Sequence, residues 1–253
     1  MVENSMRLHT INGNWAVLSM LAVAGLVLAG CDQPGDGQDI NPPAEIEFRV
    51  SFPETVRNTP ADGRVIVLLS HTEEFNYDGV ADGSPGFGID VEALRPDQVA
   101  VLDGSVRGDL IVSTDSIPPG EYFVIADLDV YTTFNRADGH SIRLPMDNGE
   151  GQKWHLSPGN LRSKPKKIEV KSSGHQQFDI ELSNEIPPIE SPQDTQWVRN
   201  ITIQSPSVSE FWGTPMHISA RILLPRDYDA NPDLRYPLII QHGHFSTDNC
   251  VFW

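Results

Sequence analysis

Cysteine is scarce in this sequence. The 253 residues hold two, Cys31 and Cys250, far too few for a disulfide framework. Positive charge is scarce as well: 18 Lys and Arg stand against 35 Asp and Glu, a formal net charge of −17. Such a surface repels phosphate backbones, which argues against a nucleic-acid partner, and it gives no basic patch for anionic lipid. Its ordinary role is to keep an exported protein solvated. No H-x-x-x-H or C-x-x-C pair is present to build a zinc site, and neither acidic loop has the spacing of a calcium-binding hand. No G-x-S-x-G nucleophile elbow occurs anywhere in the chain. Convincing helical periodicity is missing between residues 46 and 183, where 91–94 makes at most one turn.

What the chain does have is 20 Gly and 20 Pro with only 8% aromatics, the composition of a turn-rich β protein. Its one long uncharged apolar run, residues 16–30, is shorter than the ~20 residues of a membrane span and fits the hydrophobic core of a signal peptide. Glu3 and Arg7 offset one another ahead of it, so Met6 is the expected start.

The run ends in Leu28-Ala29-Gly30-Cys31, which resembles the lipobox of bacterial lipoproteins. That resemblance implies removal of residues 1–30 as a lipoprotein signal peptide and a lipid on the sulfur of Cys31. The protein would then sit at the bacterial cell envelope, its membrane partner reached through that lipid. Asp32 resembles the signal that retains such proteins at the inner membrane of Gram-negative bacteria. Residues 31–45, rich in Pro, Gly and acids, read as a flexible tether. With Cys31 lipidated, Cys250 has no intramolecular partner.

Residues 46–183 alternate or cluster β-branched and aromatic side chains between turn signals. The expected strands are 46–52, 64–70, 110–113, 122–131, 141–144, 167–171 and 177–182, a β-sandwich-like domain. Within it, the glycine-rich run 83–88 lacks the lysine and strand-to-helix context of a phosphate loop and reads as a plain loop. Asp138-Gly139-His140 and Asp147-Asn148-Gly149-Glu150 offer oxygen ligands, but turn-forming side chains explain them more simply. His140 and His155, the latter beside Trp154, read as structural histidines. No cofactor is expected.

A proline-rich linker follows at 184–197. Beyond it, 198–204 and 217–224 read as strands, and Glu210-Phe211-Trp212-Gly213 as a hairpin whose aromatics cap a core. The apolar run 236–241 reads as a further strand, entering a loop at His242-Gly243-His244.

Leu224-Pro225, Tyr228-Asp229, Arg235-Tyr236-Pro237, Leu238-Ile239-Ile240 and His242-Gly243 together resemble the opening of the putative-esterase branch of the α/β-hydrolases, related to esterase D and enterochelin esterase-like proteins. The resemblance implies that residues 198–253 are the first part of an α/β-hydrolase domain. It also implies a carboxylic-ester substrate, and an oxyanion-hole N–H from His244 or Phe245. Serine, acid and histidine of the triad all follow this point in that family, so the chain as it stands is expected to hydrolyse no ester. The competing reading is a non-catalytic envelope lipoprotein whose β domain binds a protein or glycan.

Overall fold

Alternation at period two builds the first strand, β1 (Ala44–Ser51): Ile46, Phe48 and Val50 are buried while Arg49 and the glutamates between them face outward. The computed structural model describes residues 42–75, 77, 84–151 and 153–241. The signal peptide, Cys31, Asp32 and most of the tether therefore lie outside the described residues, as do His242, His244, Phe245 and Cys250. All that is described belongs to one compact unit.

The same alternation continues in β2 (Ala61–Ser70), where Val65, Val67 and Leu69 point inward. After it come β3 (Gly86–Leu94), the short β4 (Ala100–Leu102) and β5 (Gly120–Asn135). At 16 residues β5 is long enough to pair on both edges with several partners. Those partners are β2, β6 (Ser141–Pro145), β7 (Leu161–Ser163) and β8 (Lys166–Val170). The last strand of the main sheet, β9 (Gly174–Glu185), runs parallel to β1 from Ala44↔Gly174 to Ser51↔Glu181; its other neighbour, β7, is antiparallel.

The result is mainly β, one mixed sheet in the order β3-β2-β5-β7-β9-β1-β4 with β6 and β8 branching from β5. The sheet curls into a nearly closed barrel. Phe48 of β1 stacks on Phe87 of β3 at 6.5 Å although those strands are far apart in the hydrogen-bonded order, and Leu69, Leu102, Leu128, Leu161 and Leu182 fill the space between. Each such fully buried side chain stabilises the fold by roughly 1.5–3 kcal/mol. Short β7 carries the ladder continuously from one half to the other, where a sandwich would have two separately bonded layers.

The free half-edge of β1, beyond the reach of β4, is closed by side chains. Asp115 Oδ1 accepts from the Ile46 N–H at 2.7 Å, and Thr114 Oγ1 donates to the Ile46 carbonyl at 2.7 Å. Together they stand in for a ladder partner and blunt the edge.

After β9 the chain forms a second, two-stranded antiparallel sheet, β10 (Val198–Gln204) with β11 (His217–Leu223). Between them lies the only α-helix among the described residues, α1 (Pro206–Trp212). Proline at its first turn and Gly213 at φ 67° fix its two ends. Trp212 packs edge-on against Phe134 of β5 at 5.3 Å, the Arg136 guanidinium lies 5.0 Å over the Phe211 ring, and the Ala137 N–H donates to the Phe211 carbonyl. The aromatics of 210–213 thus cap β5 from a helix, not from a hairpin turn.

Several segments differ from the sequence-based expectation. Residues 86–88 open β3 where a loop was expected, and 91–94 end it where a helical turn was allowed. The glycines and the exposed Asp90 and Glu92 hide the strand pattern, and its pairing with β2 supplies what propensity does not. Segment 110–113 is no strand; it contributes a single bridge, Arg107↔Ser113. Residues 236–241 adopt no strand, and none of the described strands pairs with them.

Candidate functional site

On β5, every second residue from Tyr122 to Leu128 faces the core, which turns Asp127 and Asp129 to the outer face of the sheet. Both are nonetheless buried, at 1% and 6% exposure. The cover comes from Glu150, Trp154 and Asn160 and from Tyr77. Asn160 ties the cover to the strand: its amide donates to Asp129 Oδ1 and to the Trp154 carbonyl, both at 2.8 Å, and its oxygen accepts from the Val130 N–H at 2.8 Å.

Asp127 is held by Arg162 on β7, Nε to Oδ1 at 2.6 Å. Asp127 Oδ2 and Arg162 Nη2 are buried and have no hydrogen-bond partner among the described residues. Burial pushes the Asp127 carboxyl up to about 6 even though Arg162 pulls the other way. Burial also raises Asp129, opposed by the Asn160 hydrogen bond and assisted by the charge of Glu150. The arrangement can hold or release a proton in mildly acidic solution, and it fastens the cover to the sheet.

Tyr77 is the lid of this layer. The Arg162 guanidinium lies over its ring, 4.8 Å from the centre, and the His155 ring stacks on it at 4.5 Å with an interplanar angle of 16°. Trp154 meets it edge-on at 5.7 Å. Beside this aromatic group a cleft of about 550 Å³ opens over β2 and β3. Ile66 and Leu68 of β2 and the bare backbone of Gly86 and Gly88 form its floor; Arg64, Arg107 and Asp109 supply its charges. The groove is open to solvent, with both apolar and charged groups in its lining.

The residues singled out in the sequence fall elsewhere or take structural roles. His140 lies in the exposed β5–β6 turn, where Asp138 Oδ1 accepts from its backbone N–H at 3.2 Å. Asp147 Oδ1 accepts from the Gly149 N–H, and Glu150 Oε2 from the Asn148 N–H, both at 2.8 Å, so these acids serve their own turn. No group of three or more His, Cys, Asp or Glu suited to a metal ion occurs among the described residues. Only Trp154 and His155 of the earlier candidates join the cleft layer. Tyr77, Arg64, Arg107 and Asp109 were not legible as a group; the sole local signal was a pair of glycines at alternate positions, Gly86 and Gly88, which in a strand marks close approach on one face.

The oxyanion-loop candidates His244 and Phe245, and the lipid-bearing Cys31, lie outside the described residues. The segment leading to that loop is described, and its side chains are bare: Leu238, Ile239 and Ile240 are 79%, 88% and 80% exposed. Ile203 and Ile218 on the facing strands β10 and β11 are also exposed. Comparison of the chain with protein-family models, with curated protein sequences and with solved structures finds no match.

Proposed function

We propose that this chain is the N-terminal, lipid-anchored portion of a carboxylic-ester hydrolase of the bacterial envelope. In this reading its β domain stands between membrane and catalytic domain, and the serine nucleophile is supplied by sequence beyond residue 253. The observation that carries the reading is the form of residues 198–241. An antiparallel pair, β10 and β11, is followed by an apolar run whose side chains have no cover. A strand destined for the interior of an α/β sheet is apolar on both faces and finds its ladder only between neighbours. The run of leucine and isoleucine at 238–240 has that character. His244 or Phe245 would then present a backbone N–H to the oxyanion, and the cost of leaving that charge without donors is what such loops remove.

Reading the source DNA beyond the codon for Trp253, in three frames, tests the proposal. The expected result is a G-x-S-x-G followed by an acid and a histidine; a stop codon with no such motif in any frame would overturn it.

The cleft on β2 and β3 favours a second reading, a binding module. It has a floor, an aromatic wall and two guanidinium groups, and no part of the hydrolase argument uses it. The two readings are compatible within one envelope protein.

A further inference from the structure

We propose that the turn at residues 153–158 is a proton-operated clasp on the outer face of the barrel, closed in mild acid and opening toward neutral pH while the barrel itself stays folded. The device belongs to the β domain and is independent of the hydrolase reading.

Two fastenings hold the turn, and each ends on a buried acid of β5. The first runs from Asp127 through Arg162 to Tyr77, against which His155 and Trp154 of the turn pack. The second runs from Asp129 Oδ1 through the Asn160 amide, which donates to it and to the Trp154 carbonyl. Glycines flank the turn, Gly151 at φ 68° and Gly159 at φ 87°, and a Cβ at Gly159 would meet nothing within 4 Å. Points of that kind absorb the dihedral change of a swing. Neither fastening draws on the apolar core, since Phe48, Val65, Val67 and Leu69 face the barrel interior on the other side of the sheet. Release of the turn therefore costs less than unfolding of the barrel.

Charge decides when the turn is released. The carboxyl groups of Asp127, Asp129 and Glu150 are buried here, and the only ion pair any of them makes among the described residues is that of Asp127 with Arg162. Even that pair leaves Asp127 Oδ2 and Arg162 Nη2 unsatisfied among the described residues. Neutral acids tolerate such an enclosure; ionised ones need water, which release of the turn admits. Burial holds both β5 carboxyls above their usual range, Asp127 at about 6, so the closed form binds protons more tightly than the open one. The closed form is thus favoured below the ordinary carboxylate range and loses that advantage as pH rises through the raised value.

The remaining charged neighbours do not supply the missing compensation. Arg64 of β2, in register with Asp129, is engaged by Asp90 Oδ1 of β3 at 2.9 Å and by the Gly88 carbonyl at 3.1 Å. The Tyr77 and Tyr131 phenols are themselves pushed up by burial and stay neutral across this range. Lys153 and His155 are the basic groups of the turn. An imidazole also changes charge near neutral pH, so the test separates His155 from the acids.

Amide hydrogen exchange of the whole chain by NMR, expressed as opening constants so that the intrinsic effect of pH cancels, provides that test. The Val130 N–H, which donates to Asn160 Oδ1, reports on the clasp. Those of Val65 and Val67 report on the barrel, because β2 is paired on both edges. The expected opening constant at Val130 exceeds those of β2 by about tenfold or more. It should also rise about tenfold from about pH 5 to about pH 7, as follows from a carboxyl near 6 in the closed form and an ordinary one in the open form. Asp127→Asn should remove most of the rise, Asp127→Asn combined with Asp129→Asn all of it, and His155→Gln none. Equal opening constants at Val130 and in β2 would mean that only global unfolding occurs, which overturns the clasp. A Val130 constant that is flat or falls as pH rises overturns it too, as does a rise that survives the double replacement or one that His155→Gln abolishes. The Asn replacements keep the size of the side chain, and retention of the β2 protection pattern verifies that the variants keep the barrel.

Discussion

Asp127 and Arg162 form a 2.6 Å ion pair on the outer face of the sheet, with the carboxylate only 1% exposed. Burial outweighs the arginine, so folding favours the protonated acid, pushed up to about 6 from 3.8. A raised carboxyl contributes stability that is fully present below the unfolded value and is lost as pH rises through the folded one. The span corresponds to about 3 kcal/mol at 1.36 kcal/mol per pH unit. Unfolding in urea should therefore require more denaturant at pH 5 than at pH 7.5, and Asp127→Asn should reduce that difference, with Asp129, which burial also raises, carrying the remainder. Asp103 and Asp194, which are shifted downward by hydrogen bonds, act only below the usual carboxylate range and leave this window alone. A wild-type profile that falls toward pH 5, or one that Asp127→Asn leaves untouched, would contradict the assignment.

Removing the cation has the opposite pH signature. Arg162→Ala leaves Asp127 buried without its partner and also strips the support beneath Tyr77. The expected cost is about 3–5 kcal/mol at neutral pH, shrinking at pH 5 as the acid takes up a proton. Denaturation of the variant at both values checks it; equal losses at the two would show that packing, not charge, is what Arg162 contributes.

The side-chain cap on β1 predicts a coupled pair. Gly104 has no Cβ because Asp115's carboxylate occupies that space on its way to the Ile46 N–H. Gly104→Ala should displace Asp115 and cost about 1–3 kcal/mol, the value of a buried donor losing a charged acceptor. Asp115→Ala should cost a similar amount, and the double variant should fall well short of the sum. Strict additivity in thermal or urea melts would mean that the two residues do not share this contact.

Much of the barrel was legible because its long strands carry their own pattern: β2, β5 and β9 each alternate or cluster β-branched and aromatic residues over most of their length. The short strands β4 and β7 hold three residues each and exist only because a neighbour's ladder requires them. Helix α1 left a readable signature, Pro206 at its start and Gly213 at its end, around a segment too short for periodicity. The segment 236–241 shows the reverse error: strand composition without a strand, since pairing is a property of neighbours. The cleft was illegible for the same reason. Tyr77, Arg107 and Trp154 come from separate loops that meet only after β2, β3 and β5 are in register.

The bare run at 238–240 predicts behaviour in solution. Replacing Leu238, Ile239 and Ile240 together by Ser should change the unfolding free energy of this chain by less than about 0.5 kcal/mol, as for exposed positions. It should also reduce concentration-dependent self-association, because an uncovered apolar segment is a contact site. Sedimentation velocity over a range of concentrations measures the second effect. A marked loss of stability would mean that these side chains are packed after all.

In the function proposed above, the β domain supports and binds while the nucleophile of ester hydrolysis lies in sequence beyond residue 253. Its most direct test is to expose the purified 253-residue chain to a fluorophosphonate that marks activated serines and to a p-nitrophenyl ester. The expected result is no covalent adduct by intact mass and no turnover above the buffer rate. A stoichiometric adduct on one serine, with matching loss of ester turnover, would contradict it.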